Sequence, residues 1–326
     1  MTASFLVMDK APGMTSHDVV ALVRAVTGIK KVGHTGTLDP FATGVLVLAL
    51  GKATRFIQFL DEQLKVYDAT IQLGWSTTTG DPEGEELERG EVPSLENVEE
   101  LLQGFVGKQM QTPPAYSAVK VAGKALYKYA RAGEEVKAKP REIEIYGLRL
   151  LEKGESTLRV EIQCSRGTYA RVLADDIAKA LGTFGHLSAL RRTRSGPFTL
   201  DGAVDMPGLG VIAAEMSDWN RAFSREGERV QWLPRDQVQE ELLRRSTPLA
   251  EALNHLDVAP VGEGERRKVL KGDFVPPPPA TVKEGGRYIA ICDGEALSVA
   301  QRVGPIGKVL RAVGEAEPKK RGRRRR

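Results

Sequence analysis

Asp39 stands in GHTGTLDPFATGVLVLALGKATR, residues 33–55, inside a turn of small and hydroxylated residues. Glycines at 33, 36 and 44 permit tight bends, and Pro40 fixes the bend just after the carboxylate. The apolar run 44–51 that follows reads as a buried strand. No basic residue inside the turn is close enough in sequence to neutralise the charge. The carboxylate therefore either bonds its own backbone, as turn aspartates do, or meets a cation brought from elsewhere; in the second case it can act as a nucleophile or a base. A second chemistry-bearing stretch runs from 108 to 141. There Pro113 and Pro114 deny a helix, while six lysines, two arginines and tyrosines at 116, 127 and 129 give a basic, aromatic character. That mixture suits a mobile arm gripping RNA by charge and stacking; the plainer form is a surface hairpin followed by a helix, with the tyrosines facing the core.

The elements around these residues follow from periodicity. SFLVMD (4–9) reads as a strand, and SHDVVALVRAVTG (16–28) as a helix capped by Ser16, with Val19, Val20 and Val23 on one face and Gly28 at its end. Residues 52–63 suit a short helix. Residues 65–74 suit a strand with an interrupted apolar face of Val66, Ala69, Ile71 and Leu73. The acidic, glycine-rich stretch 80–91 reads as exposed loop, and 94–107 as a helix with a serine cap. Residues 141–152 and 156–165 alternate apolar and polar residues and are expected to pair antiparallel. The second leads through RGTY into a helix with Val172, Leu173, Ile177 and Leu181 as its buried stripe. Past 201 only a helix near 236–245 is readable, and 256–314 contains the short strand-like runs YIAICD, LSVAQRV and KVLRAV of a small β-barrel-like appendage. Strands mixed with helices, without a regular βαβ repeat, indicate an α+β catalytic domain.

The length of 326 residues suggests two domains, or one large domain with an appendage, and 41% hydrophobic with 28% charged residues fits a globular chain. No run of about 18 apolar residues exists, and MTASFLVMDK is too short and too soon charged for a signal peptide, so the expectation is a cytoplasmic protein without a membrane partner. Cys164 and Cys292 lie far apart with no CxxC or clustered histidine, which argues against a disulfide or zinc. The net charge of +4 is local: KKRGRRRR at the end holds seven basic side chains, leaving 40 Lys plus Arg against 43 Asp plus Glu. The tail reads as a basic disordered arm with salt-screened attraction to phosphates, or as a solubilising tail.

GHTGTLDP followed by ATGVL resembles the catalytic motif of the bacterial tRNA pseudouridine-55 synthases, the TruB family. The similarity continues in LVMDKAPGMTSHDVV (6–20), VYDATIQLGWSTTTGDPEGE (66–85), QTPPAYSAVKVAGKALYKYAR (111–131), CSRGTYARVLADDIAKALG (164–182) and GHLSALRRTRSGPF (185–198). Blocks in the expected order across about 200 residues are far more specific than one short motif. The first block departs from the family in reading Lys10, Ala11, Pro12, Gly13, where proline more often follows the lysine directly.

The resemblance implies a mixed, mostly antiparallel sheet flanked by helices, a catalytic domain at 1–255 with an RNA-gripping insertion near 108–141, a PUA-type RNA-binding domain at 256–314 and a basic tail at 315–326. It implies a monomer that isomerises the T-loop uridine at position 55 of tRNA without a protein partner. The reaction exchanges a carbon–nitrogen for a carbon–carbon bond with no net redox change, so it requires neither cofactor nor metal. On the same resemblance Asp39 is the catalytic carboxylate and Arg171 its ionic partner; burial would favour the protonated acid, and a fixed guanidinium opposes that. Tyr67 stacks on the uracil, Tyr169 and Leu190 shape and close the pocket, and His34 takes the space vacated in the RNA. Lys10, Asp81 and Arg192 support the loop or contact RNA. Two other readings stand beside this one: a tRNA-folding helper whose catalysis is secondary, and a guide-RNA-dependent synthase acting on rRNA.

Overall fold

A computed structural model of the chain describes residues 3–60, 64–136, 138–205 and 235–314. The basic tail at 315–326 and most of the poorly patterned stretch after 205 therefore lie outside the described residues.

The first half runs β1 (Ala3–Lys10), α1 (Ser16–Thr27), β2 (Val32–His34), β3 (Thr43–Gly51), β4 (Lys65–Leu73), β5 (Trp75–Thr77), β6 (Glu86–Arg89) and α2 (Val98–Gln103). It continues through β7 (Gly107–Gln111), β8 (Lys120–Val121), β9 (Lys124–Ala125), α3 (Leu126–Ala130), β10 (Arg141–Lys153), β11 (Thr157–Cys164), α4 (Ala170–Ala180), β12 (Gly185–Ser195), β13 (Phe198–Thr199) and β14 (Val204–Asp205). After the break come α5 (Arg235–Arg244), β15 (Thr247–Pro248), α6 (Leu249–Ala252), β16 (Asp257–Pro260), α7 (Glu263–Lys271), β17 (Arg287–Cys292), β18 (Glu295–Val303) and β19 (Ile306–Ala312).

One mixed, mostly antiparallel sheet runs β14-β1-β3-β12-β4-β11-β10-β7, with β2, β13 and β15 attached at its flank. Only the β1–β14 and β3–β12 pairs are parallel. The decisive feature is β12, late in sequence, lying between β3 and β4. Its residue Arg192 falls beside Gly44 on one side and Tyr67 on the other.

β3 reads as an unbroken apolar run because both its faces are covered. Leu46, Leu48 and Leu50 join a core with α1 and α4, while Val45, Val47 and Ala49 pack with Phe56, Leu253 and residues of the C-terminal sheet such as Ile289 and Val299. Among the described residues that C-terminal unit is a four-stranded sheet, β16-β17-β18-β19, with α7 beside it, and its first and last strands do not pair with each other to close a barrel. No helix among the described residues is long and apolar enough to cross a membrane.

Several local expectations shift. The cap of α1 is Thr15, which forms a capping box with Asp18. Ser16 is turned inward, and its hydroxyl takes a hydrogen bond from the Leu38 amide at 2.9 Å while lying 3.1 Å from the Leu38 carbonyl. Residues 52–59 form two 3-10 turns, since no apolar stripe longer than a turn is available to sustain an α-helix there. α2 has only six residues and no side-chain cap bond. On β4 the buried positions are Lys65, Ala69, Ile71 and Leu73, so Val66 belongs to the opposite face. In α4 the inward stripe includes Arg171 and Ala174 and leaves out Val172, while Leu181, at the cap, packs partly buried against the same core. The stretch 80–91 is a hairpin with β5, and its first acidic residue, Asp81, is buried.

Segment 108–141 folds as β7, a loop, the β8–β9 hairpin and α3. Tyr116, Tyr127 and Tyr129 are half-buried and do not enter the core. Lys124 sits over the Tyr129 ring at 4.1 Å, and the Arg131 guanidinium lies 5.6 Å from the Tyr127 ring centre.

Candidate active site

The turn before β3, the inner face of β4, the loop ahead of β8, the start of α4 and the end of β12 converge on a cavity of about 310 Å³. Asp39, Tyr67, Tyr169, Arg171, Leu190 and Arg192 line it, drawn from positions spread over more than 150 residues of chain. His34, Lys10 and Asp81 are not among its lining residues.

Among the described residues the Asp39 carboxylate pairs with Arg171 and not with its own turn's backbone. The bend is closed instead by the Ala42 amide donating to the Asp39 carbonyl at 3.1 Å. Arg171 Nη2 donates to Asp39 Oδ1 at 3.3 Å, and Nε stands 3.0 Å from Oδ2 as an ion contact without hydrogen-bond alignment. The guanidinium is fixed from behind by two carbonyls, Thr79 on Nη1 and Tyr116 on Nη2, both at 2.8 Å. A second carboxylate shares it: Asp81 Oδ2 is 3.3 Å from Nη1. Asp81 Oδ1 takes hydrogen bonds from the Thr79 hydroxyl at 2.5 Å and the Glu83 amide at 3.1 Å. The side chains of Arg171 and Asp81 are 5% and 4% exposed, while 32% of Asp39's remains open. The site is thus a buried cation between two acids, only one of which faces open space.

Burial pushes the Asp39 carboxyl above its ordinary pKa; the charge of Arg171 and its hydrogen bond pull it back, Asp81 pushes it up again, and the balance stays upward. The cation opposes the burial penalty without cancelling it. Burial likewise raises the Tyr67 phenol against the pull of Arg192, which keeps it neutral near pH 7. The His34 ring is held below its ordinary value by burial, with His17 and Arg192 adding to the effect. It meets His17 edge-to-face at 5.2 Å.

Lys10 and Arg192 are turned inward onto the loop that carries Asp39 and the start of β3 rather than outward toward a phosphate. Lys10 Nζ donates to the carbonyls of Ala11 at 2.9 Å and Pro40 at 3.0 Å, and burial brings its pKa down to about 8 despite the pull of Asp39. Arg192 donates from Nε to Val45 O at 2.7 Å and from Nη2 to Gly36 O at 3.2 Å. With Ser16 on Leu38, these contacts hold the loop from Gly36 to Pro40 at several points. Tyr169 is anchored by Gln111, whose Oε1 accepts its amide at 2.7 Å and whose Nε2 donates to its carbonyl at 3.1 Å. Leu190 is buried on β12 opposite Ala69 of β4.

Gly44 marks the junction of loop and sheet. Its φ is +95°, and a Cβ there would lie 2.2 Å from the Arg192 carbonyl oxygen, an approach no side chain tolerates. Gly44→Ala should cost about 3 kcal/mol of stability, read as a lower urea midpoint; an unchanged midpoint would mean that the strands have slack at this crossing.

Sequence reasoning did not single out Lys65 and Ser117, which also line the cavity. Lys65 precedes the VYDA block and donates to the Ser195 hydroxyl at 2.9 Å. Ser117 lies inside the QTPPAYSAVK block, and its position in that block was the available signal. Among the described residues, a trio with metal-ligand spacing, Glu263, Cys292 and Asp293, lies in the C-terminal unit; none of them lines the cavity, and Arg266 already pairs with Glu263 at 3.5 Å.

Residues 24–170 match the model of the TruB family pseudouridylate synthase N-terminal domain, and residues 171–221 that of the tRNA pseudouridylate synthase B C-terminal domain. A protein named tRNA pseudouridine synthase B from Oceanobacillus iheyensis is 40% identical over 297 residues, 90% of either chain. The chain belongs to the TruB family of pseudouridylate synthases. Another TruB relative, the tRNA pseudouridine synthase B of Geotalea uraniireducens, is 50% identical over 228 residues, covering 69% of this chain and 70% of its own. The TruB fold extends to the solved Cbf5-Nop10-Gar1 complex, where the similar chain has a TM-score of 0.69 at 25% identity, with 96% of this chain and 85% of that one covered. An archaeal Nop10-Cbf5 complex gives 0.68 at 24%.

Proposed function

We propose that this chain isomerises the T-loop uridine at position 55 of tRNA to pseudouridine, as a stand-alone cytoplasmic enzyme. The observation that carries the reading is Asp39: a carboxylate one-third open to a base-sized cavity, with Arg171 buried behind it. In this reading the target uridine leaves its stack, at a cost of a few kcal/mol, and enters between Tyr67, Tyr169 and Leu190. Asp39 then either attacks ribose C1′ or removes a ribose proton. The bond from N1 to C1′ breaks, the base turns, a bond forms from C5 to C1′, and the C5 proton leaves, with Tyr67 beside the base to help move it. Atoms balance without any outside group. Arg171 holds enough of Asp39 ionised for chemistry, Asp81 fixes Arg171, and Lys10 and Arg192 support the loop. His34 takes the place vacated in the RNA.

The domain division belongs to the same proposal: a catalytic domain over 1–255, whose basic hairpin within 108–141 grips the RNA, a PUA-like RNA-binding unit over 256–314, and a tail at 315–326 that adds attraction to phosphate. One competing reading is a synthase that requires guide RNA and partner proteins. Purified protein incubated with transcribed tRNA, followed by mass-shift labelling of pseudouridine, separates the two. Conversion at position 55 with no other component is expected; conversion only after addition of guide RNA or partners would overturn the stand-alone reading.

A further inference from the structure

The wall of the cavity contains a hydroxyl without a partner. Among the described residues, two buried polar side-chain atoms on that wall lack a hydrogen bond: Arg171 Nε, which faces Asp39 Oδ2 at 3.0 Å, and Ser117 Oγ. Ser117 is only 6% exposed. Buried hydroxyls in folded proteins are nearly always bonded, because an unpaired one forfeits its hydration with nothing in return. An orphan at the wall of a substrate cavity therefore calls for a partner that arrives with the substrate.

The backbone around Ser117 is fixed from both sides. The preceding carbonyl, of Tyr116, accepts Arg171 Nη2 at 2.8 Å, and the Ser117 carbonyl accepts the Tyr127 amide at 3.0 Å. The serine thus joins the Arg171–Asp39 pair to the basic hairpin and α3, and its hydroxyl carries no hydrogen bond that would fix it. Three other polar side chains on the wall are already engaged: Arg192 on Val45 O, Lys65 on the Ser195 hydroxyl and the Thr168 hydroxyl on Ser165 O. A pyrimidine entering the cavity brings carbonyl acceptors and an N–H donor that must be paired once water is excluded. A hydroxyl can answer either kind.

Resting on the pseudouridine synthase reading above, we propose that Ser117 is a substrate-contact residue whose hydroxyl turns to hydrogen-bond the polar edge of the base admitted to the cavity. The contact fixes the ring's orientation in the pocket.

The test compares wild type, Ser117→Ala and the near-isosteric Ser117→Cys in single-turnover pseudouridine formation, thermal unfolding, and binding to T-arm RNA with either uridine or an abasic residue at the target position. Ser117→Ala should slow formation about five- to tenfold, with Ser117→Cys between it and wild type. The unfolding temperature should be unchanged or higher, since an unpaired buried group is removed. Ser117→Ala should weaken binding of the uridine RNA and leave the abasic RNA unaffected. An active wild type with an equally active Ser117→Ala would overturn the contact, as would a loss that is equal for abasic RNA or that tracks a lowered unfolding temperature. A wild type that makes no pseudouridine would instead overturn the functional reading, and this proposal with it.

Discussion

Asp39→Asn is expected to lower pseudouridine formation on the order of 10⁴-fold while tRNA binding stays within about twofold of wild type. The amide keeps the size and one acceptor oxygen of the carboxylate, so the Arg171 Nη2 contact at 3.3 Å can persist, but it can neither attack carbon nor take up a proton. Folding should not suffer. Because burial raises the folded-state pKa of Asp39, the native protein binds more protons than the unfolded chain across the interval above the ordinary carboxylate value, and stability falls as pH rises through it. At neutral pH the ionised Asp39 is a cost, and the asparagine variant should unfold no earlier than wild type. The variant also divides the enzyme from the folding helper. If it still rescues misfolded tRNA, the chain has both roles; if it retains near-wild-type pseudouridine formation, Asp39 is not the reacting group.

Arg171→Ala carries the second large effect, and here two carboxylates are stranded at once. Asp81, with a side chain 4% exposed, and Asp39 both lose their cation, and the Thr79 and Tyr116 carbonyls lose their donors. Removing one partner from a buried ion pair costs about 3–5 kcal/mol, which should appear as a lowered urea midpoint. Turnover should fall about 10³-fold, far more than RNA affinity. The pH profile distinguishes this from simple destabilisation. The proposed chemistry needs the ionised acid, so activity is expected to decline as pH falls through the Asp39 pKa. Arg171 lowers that pKa, and its loss moves the acid limb to higher pH. Arg171→Lys keeps the charge without the planar fork, and should recover part of the rate with the limb between the other two. Equal losses of turnover and RNA affinity in Arg171→Ala, with no movement of the limb, would refute the ion-pair role.

Whatever depended on local pattern was legible in the chain. Alternation along 141–152 and 156–165 gave the β10–β11 pair, and the continuous apolar run after Asp39 gave β3. Short-range detail was less secure where two adjacent residues could do the same task. Thr15 and Ser16 can both cap a helix, and only the position of Leu38, brought back over α1 by the fold, decides that Ser16 bonds the loop while Thr15 caps. Asp81 illustrates the same limit. Its acidic, glycine-rich neighbours reflect the exposed tip of a hairpin, whereas its own side chain turns inward to a guanidinium 90 positions later in the chain.

From the sequence by itself came an unneutralised carboxylate in a constrained turn, the blocks that mark a TruB chain, and the α+β class. Periodicity and residue type carry that information because they act over a few positions along the backbone. Tertiary structure alone decided that β12 enters between β3 and β4, that Arg171 is shared by two acids, that Lys10 and Arg192 donate to backbone carbonyls of the loop and of β3, and that the Ser117 hydroxyl has no hydrogen-bond partner beside the cavity. Strand order and long-range pairing are set by the packing of the whole core. Asp39 and Arg171 are 132 residues apart in the chain and meet only once the sheet between them has closed in its final order.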